Sequence, residues 1–182
     1  MELKETRLTS EQVFDGALLK VYRDTVRLPD GREAVREVVR HPGAVVIVPV
    51  DEAGRVHLVR QFRYPYDCAL LEVPAGKLEP GEEPFPAAQR ELEEEIGARA
   101  EDWLPMGEAL PTPGFCDELQ HVYLARRLTF GATHPDEDEF LEQVALPMAE
   151  AVAMAVDGRI RDCKTAAAIL RAYLLMEGER HG

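Results

Sequence analysis

Gly76-Lys77-Leu78-Glu79-Pro80-Gly81-Glu82, seven further residues, then Arg90-Glu91-Leu92-Glu93-Glu94-Glu95-Ile96-Gly97-Ala98: how this stretch is read decides the fold and the chemistry. Pro84 to Ile96 has helix-forming composition, Leu92 and Ile96 stand four apart, and Gly97 is a natural C-terminal stop. At about 100° per residue, Glu91, Glu94 and Glu95 fall within roughly a 100° sector of that helix. Leu92 and Ile96 turn the other way, toward a core. Three carboxylates on one face repel one another and destabilise the helix unless something neutralises them. Arg90, one turn before Glu94, supplies part of that charge. Magnesium supplies the rest naturally, being a hard cation that takes carboxylate oxygens and keeps waters and phosphates in its other positions. The plain alternative is a solvated acidic helix face.

Around this helix the chain reads as mixed strands followed by helices. Leu18 to Leu28 alternates with a two-residue period and runs into the turn Leu28-Pro29-Asp30-Gly31-Arg32, so Glu33 to Arg40 is expected to return as a strand. Ala44 to Val50 is a continuous, largely β-branched run, as a strand buried on both faces requires. After the Asp51–Arg55 turn, Val56 to Gln61 and Ala69 to Val73 read as strands, as do Asp102 to Leu110 and Gln120 to Leu128. Pro147 to Val156 and Lys164 to Glu177 read as amphipathic helices, the second with Asp162 as its N-cap. This order predicts an α+β or α/β sandwich. It also predicts a three-strand β subdomain over residues 1–42 ahead of a main domain over 43–182.

Composition narrows the classes of function. The chain has 182 residues and a formal net charge of −13, which argues against nucleic acid as partner because backbone phosphates demand a basic surface. A small phosphorylated ligand remains compatible if divalent cations bridge the two negative partners. No apolar run approaches the roughly 18 residues that cross a membrane, so no membrane partner is expected. The charged start, Met1-Glu2-Leu3-Lys4-Glu5, does not look like a signal peptide. Cys68, Cys116 and Cys163 are odd in number and widely spaced, which fits neither a disulfide framework nor a zinc knuckle. A reducing cytoplasm is the expected location.

The glutamate-rich stretch resembles the Nudix box, GX5EX7REUXEEXGU, in which U is a bulky aliphatic residue. Gly76, Glu82, Arg90, Glu91, Leu92, Glu94, Glu95 and Gly97 fill their positions, and Ala98 at the last aliphatic place is the one departure. The resemblance implies a Nudix fold, a mixed β-sheet sandwiched between helices, over residues 43–182. It implies metal-dependent cleavage of the diphosphate bond of a nucleoside diphosphate linked to another group. Position by position, it makes Glu91, Glu94, Glu95 and the backbone carbonyl of Ala75 ligands of Mg2+, for which Mn2+ or another divalent cation can substitute. Glu94 also counts among the catalytic residues, while Glu82 and Arg90 hold the loop–helix–loop together.

Four further features resemble the ADP-ribose pyrophosphatase subgroup. Arg63, in Gln61-Phe62-Arg63-Tyr64, matches a substrate-binding arginine, with Arg36 on the N-terminal strands next. Thr112-Pro113-Gly114-Phe115 and the following Glu118 match a substrate-binding segment, Pro113 lying fifteen residues beyond the box. In the acidic stretch His134 to Glu139, Glu137 matches a catalytic general base and Glu139 a further metal ligand; Asp136, Asp138 and Glu142 stay open as alternatives. Asp162-Cys163-Lys164-Thr165 and the residues after it resemble that subgroup's last helix. These features imply ADP-ribose as substrate, and a homodimer in which the N-terminal strands exchange between subunits and complete the substrate pocket. FAD, another nucleotide sugar or a dinucleoside polyphosphate stands as the nearest alternative substrate. A non-catalytic ADP-ribose-sensing module is the alternative of a different class, and the full set of box glutamates argues against it.

Overall fold

The computed structural model describes residues 2–133 and 140–181. Two compact units emerge from the internal contacts: Met1–Gly43 with Leu110–Leu119, and Ala44–Ala109 with Gln120–Gly182. Sequence order alone groups 110–119 with the second unit; the contacts group it with the first.

The first unit is a three-stranded antiparallel sheet, β1 (Thr6–Asp15), β2 (Lys20–Arg27) and β3 (Glu33–Arg40), in that spatial order. The β2–β3 turn forms as its residues dictate. Gly31 sits at φ 89° and donates its N–H to Leu28 O at 2.9 Å, while Asp30 accepts the Arg32 N–H at 3.1 Å. All ten residues of β1 are exposed, and its pairing with β2 is broken by two register shifts. Asp24 is the buried charge of this unit; Ser10 Oγ donates to it at 2.5 Å and Arg40 Nη2 at 3.1 Å. The same Arg40 reaches Asp117 at 2.9 Å, and Asp117 also accepts the His41 N–H. Backbone bonds between Val39 and both Phe115 and Asp117 complete the attachment of 110–119 to the end of β3.

The second unit is built on β4 (Ala44–Val50), every residue of which is buried. Alternation along β4 divides the core in two. Val45 and Ile47 pack with Ala87, Ala88, Leu92 and Ile96 of α1 (Pro84–Ile96). Val46, Val48 and Val50 pack with Ala151 of α2 (Met148–Val156) and with Ala168, Ile169 and Ala172 of α3 (Cys163–His181). Helices therefore cover both faces, and a strand with no wet face must be apolar throughout. Each such side chain contributes roughly 1.5–3 kcal/mol on burial.

The sheet has the order β10-β5-β4-β9-β8, with β5 (Arg55–Arg63), β8 (Ala98–Ala109), β9 (Gln120–Phe130) and β10 (Glu142–Pro147). Two short strands lie off this path, β6 (Cys68–Glu72) on β5 and β7 (Ala75–Lys77) on β4. The β4–β9 pair is parallel and the other pairs are antiparallel, so the sheet is mixed. Strand β8 begins at Ala98, four residues before the sequence predicts, and β10 was not anticipated at all. Three α-helices and a short 3-10 helix (Tyr64–Tyr66) are present among the described residues, none long and apolar enough to cross a membrane.

The ends of α1 follow from its residues. Pro84 occupies the first turn, where a missing N–H costs nothing. Gly97 closes the helix at φ 65°, its N–H donating to Glu93 O at 2.9 Å. A Cβ at Gly97 would also lie 2.7 Å from Gly131 O, so space and dihedral angle both demand glycine there.

Candidate active site

Helix α1 leaves β7 through a tight turn and carries the box carboxylates back beside it. Glu82 sets the turn: its N–H donates to Glu79 O at 3.0 Å, and its carboxylate accepts the Glu79 N–H, also at 3.0 Å. Arg90 then gathers the acidic side chains. It donates from Nε and Nη2 to the two oxygens of Glu82 at 3.0 and 2.9 Å, and from Nη1 to Glu91 and Glu94 at 2.8 Å each. The bonds to Glu82 hold the guanidinium pKa far above its ordinary value, against the opposing effect of burial and with help from Glu91 and Glu94. Conversely, the Arg90 bonds and the Glu79 N–H hold the Glu82 carboxyl below the usual carboxylate range. Arg90 is thus the counter-charge to Glu91 and Glu94 on the helix face and to Glu82 in the turn before it.

Glu91 and Glu95 are buried, Glu94 less so. Glu95 Oε2 accepts the Ala75 N–H at 3.3 Å, which ties the helix to β7 in register with Val46 of β4. Gly76 has an ordinary φ, so the backbone does not require glycine; space does. A Cβ built on it would lie 1.8 Å from Glu91 Oε1. We predict that Gly76→Ala costs about 1–3 kcal/mol, the range for overpacking, because the far end of Glu91 can swing aside. Turnover should fall much further than stability, since Glu91 is then displaced; parallel chemical denaturation and steady-state assays would show the two effects part, and equal small losses would refute the packing argument.

The donor set of Glu91, Glu94, Glu95 and the Ala75 carbonyl is all hard oxygen, which suits a hard divalent cation and not a soft one. Among the described residues, no three acidic, histidine or cysteine side chains stand in an arrangement ready for an ion. Arg90 engages Glu91 and Glu94, and the Ala75 amide engages Glu95. By donor chemistry these residues fit a divalent cation. Glu93, outside the candidate set, pairs with Arg99 at 2.6 Å.

Arg63 ends β5 and meets Glu72 of β6 in a bidentate pair, Nε to Oε1 and Nη2 to Oε2, both at 2.7 Å. Glu72 is 2 % exposed and also takes the Lys164 ammonium from the start of α3. Sequence reading missed Glu72 and Lys164. The available signal was a lone carboxylate inside the apolar run Ala69-Leu70-Leu71-Glu72-Val73, which must be paired if buried. Burial pushes the Glu72 carboxyl up, but Arg63 and Lys164 outweigh it and leave the group below its ordinary pKa. A depressed folded-state value means that Glu72 stabilises the fold above its unfolded pKa. That stability is lost as pH falls below about 4.5. Acid titration of unfolding free energy should therefore show a smaller decline below pH 4.5 in Glu72→Gln than in the wild type; parallel curves would contradict the assignment.

The remaining candidates fall in the first unit or outside the described residues. Arg36 is exposed and pairs with Glu5 at 2.9 and 2.5 Å. Arg36 and Gly114 both line a cavity of about 490 Å3 within that unit, along with Glu5, Phe115 and Asp117. Thr112 starts the turn below it, its carbonyl accepting the Phe115 and Cys116 N–H groups. Glu118 belongs to the same unit. Glu137 and Glu139, with Asp136 and Asp138, lie outside the described residues. Glu142 pairs with Arg60 across β10 and β5 at 3.2 Å.

Family profiles match both parts of the chain: the NUDIX domain over residues 39–165, and the nucleoside diphosphate sugar hydrolase N-terminal domain over residues 5–39. The chain belongs to the Nudix family, and it is a hydrolase of the Nudix diphosphatase type. It is 41% identical over 169 residues to the ADP-ribose pyrophosphatase of Bacillus subtilis (strain 168), covering 92% of this chain and 91% of that protein. It is 40% identical over 181 residues to the methanol dehydrogenase activator of Bacillus methanolicus, covering 98% and 97%. Its fold is similar to a crystal structure of an ADP compounds hydrolase, with a TM-score of 0.87, 26% identity and 98% of each chain covered.

Proposed function

We propose that this protein hydrolyses ADP-ribose with water to AMP and ribose 5-phosphate, using Mg2+ as its divalent cation. The observation that carries the reading is the box itself: Glu91 packed over Gly76, and Glu95 buried against Ala75, on the helix that also presents Glu94. The similarity to an ADP-ribose pyrophosphatase and to an ADP compounds hydrolase supports ADP-ribose as the substrate.

In this reading Glu91, Glu94, Glu95 and the Ala75 carbonyl hold the cation, with Glu139 as a further ligand. Held there, a divalent cation would supply charge neutralisation for the phosphates and acidify the attacking water. Glu137 accepts the proton of the attacking water as general base, while the bridging oxygen leaves with the other phosphate. Arg63 and Arg36 bind the diphosphate and adenosine ends through charge-assisted hydrogen bonds. Thr112, Gly114 and Glu118 shape the substrate pocket. Residues 1–42 act as a dimerisation subdomain. Support comes from the exposure of Leu8, Val13 and Phe14 on β1, apolar surface that a second copy would cover. The enzyme works in the cytoplasm as a homodimer; a monomer by light scattering would remove that part.

The test is a panel of ADP-ribose, FAD, NADH, GDP-mannose and diadenosine polyphosphates offered to the purified protein with MgCl2. ADP-ribose should give the highest kcat/KM, with AMP as product. Preference for another member would move the substrate assignment, and release of no nucleoside monophosphate from any of them would end it.

A further inference from the structure

The segment Asp162-Cys163-Lys164-Thr165 opens α3, and the roles assigned above leave it without a task. Its contacts reach the strand that leads into the box. Asp162 caps the helix, Oδ2 accepting the Thr165 N–H at 2.9 Å and its hydroxyl at 2.6 Å. The buried Thr165 Oγ1 in turn accepts the Val73 N–H at 3.0 Å. Beside it, Lys164 spans Asp162, at 2.9 Å, and Glu72. The first turn of α3 thereby holds both Glu72 and Val73, immediately before Pro74-Ala75-Gly76.

The geometry of the Arg63 pair gives this contact a meaning. A guanidinium has five N–H donors in a rigid plane. Glu72 takes the Nε edge, which uses two of them and leaves three hydrogens on the opposite edge, the two on Nη1 and one on Nη2. The Arg63 side chain is 39% exposed, so the pair is not closed off from a ligand. Asp162 and Glu95 add to the negative surroundings that hold Arg63 charged, which sets it electrically beside the box helix. Taken alone, however, Arg63 and Glu72 make a neutral pair, and a neutral pair attracts a diphosphate poorly. Lys164 changes that balance by spending its charge on Glu72.

We propose that Glu72 and Lys164 are positioning residues for substrate binding: Glu72 fixes the Arg63 plane, and Lys164 cancels the Glu72 charge so that Arg63 meets the diphosphate as a net cation. This rests on the reading that Arg63 binds the diphosphate. Asp162 shares Lys164 at 2.9 Å and so opposes part of this effect, while the N-terminus of α3 and the Thr165 donors offset part of the Asp162 charge in turn.

The test is a cycle of variants assayed with ADP-ribose and MgCl2, separating KM from kcat. Lys164→Met should raise KM about 10-fold or more with kcat near the wild-type value, the pattern of lost uniform binding. Lys164→Arg should restore most of it. The decisive member is Glu72→Gln combined with Lys164→Met: removing both charges should bring KM back below that of Lys164→Met alone, and a KM rescue that does not follow the urea unfolding free energies of the same variants separates a positioning role from a merely structural one. Should Lys164→Met fail to fold, Lys164→Gln keeps donors toward both carboxylates and carries the same comparison. An additive or worse double variant overturns the proposal. Arg63→Met separates the two levels. If it raises KM while Lys164→Met does not, only the positioning role fails; if it leaves KM unchanged, the diphosphate reading of Arg63 fails and the proposal with it.

Discussion

Glu95→Gln is expected to lower turnover by more than about 100-fold while the protein keeps its fold; partners that merely orient metal ligands already cost about 10–100-fold when lost. Glu95 is 3% exposed and accepts the Ala75 N–H of β7 at 3.3 Å. Glutamine fits the same volume and still offers an oxygen to that N–H, so packing survives. What disappears, on the proposed ligand set, is an anionic oxygen for the cation. Glu94→Gln should behave alike with a smaller effect on stability, because Glu94 is the more exposed of the two. Titrating activity against MgCl2 should show weakened cation dependence in both. Glu137→Gln, by contrast, should slow turnover with cation affinity unchanged, as a general base outside the ligand set requires. Near-normal activity in both box variants would sink the metal assignment.

Arg90→Met should be the most damaging change to stability, costing about 2–4 kcal/mol in the presence of EDTA, toward the range for breaking a buried ion pair. One guanidinium serves Glu82, Glu91 and Glu94 together. Without it, the buried Glu91 carboxylate loses the guanidinium 2.8 Å away and the turn at Glu82 loses its anchor. The cost should fall when MgCl2 is added, since a bound cation supplies the positive charge that Arg90 gave and stabilises the folded state by mass action. Urea denaturation with and without MgCl2 would measure both quantities. A variant within 0.5 kcal/mol of wild type, a figure typical of surface substitutions, would show that Arg90 does not neutralise this face.

Much of this architecture was legible because the decisive signals are local. Pro84 at the first turn, Gly97 after the last, and apolar residues four apart define α1 to its ends. Strand β4 reads directly from an uninterrupted apolar run, and β3 from the turn that precedes it. What escaped depends on partners far away in sequence. Strand β10 offers only Val144 and Leu146 as half-buried positions, too short an alternation to separate from a loop. The grouping of 110–119 with the N-terminal strands is set by Arg40–Asp117 and the Val39 backbone bonds, which no periodicity announces. Arg63 was singled out as a substrate ligand from its place in a motif. That Glu72 already engages it is a pairing across β5 and β6, and that Lys164 in turn engages Glu72 is a contact spanning 92 residues, between β6 and α3.

Gly76 and Glu91 occupy one space between them: where a methyl group on the first would stand, the carboxylate of the second already does. The two positions should therefore be inherited as a single character. In descendants of this sequence that keep turnover, a side chain gained at 76 should be rare while Glu91 is retained, because it pushes that carboxylate out of place. The order of events is set as well, since the loss at 91 opens the room that the gain at 76 needs. A laboratory drift experiment without selection for turnover should then accumulate changes at 91 first and at 76 afterwards.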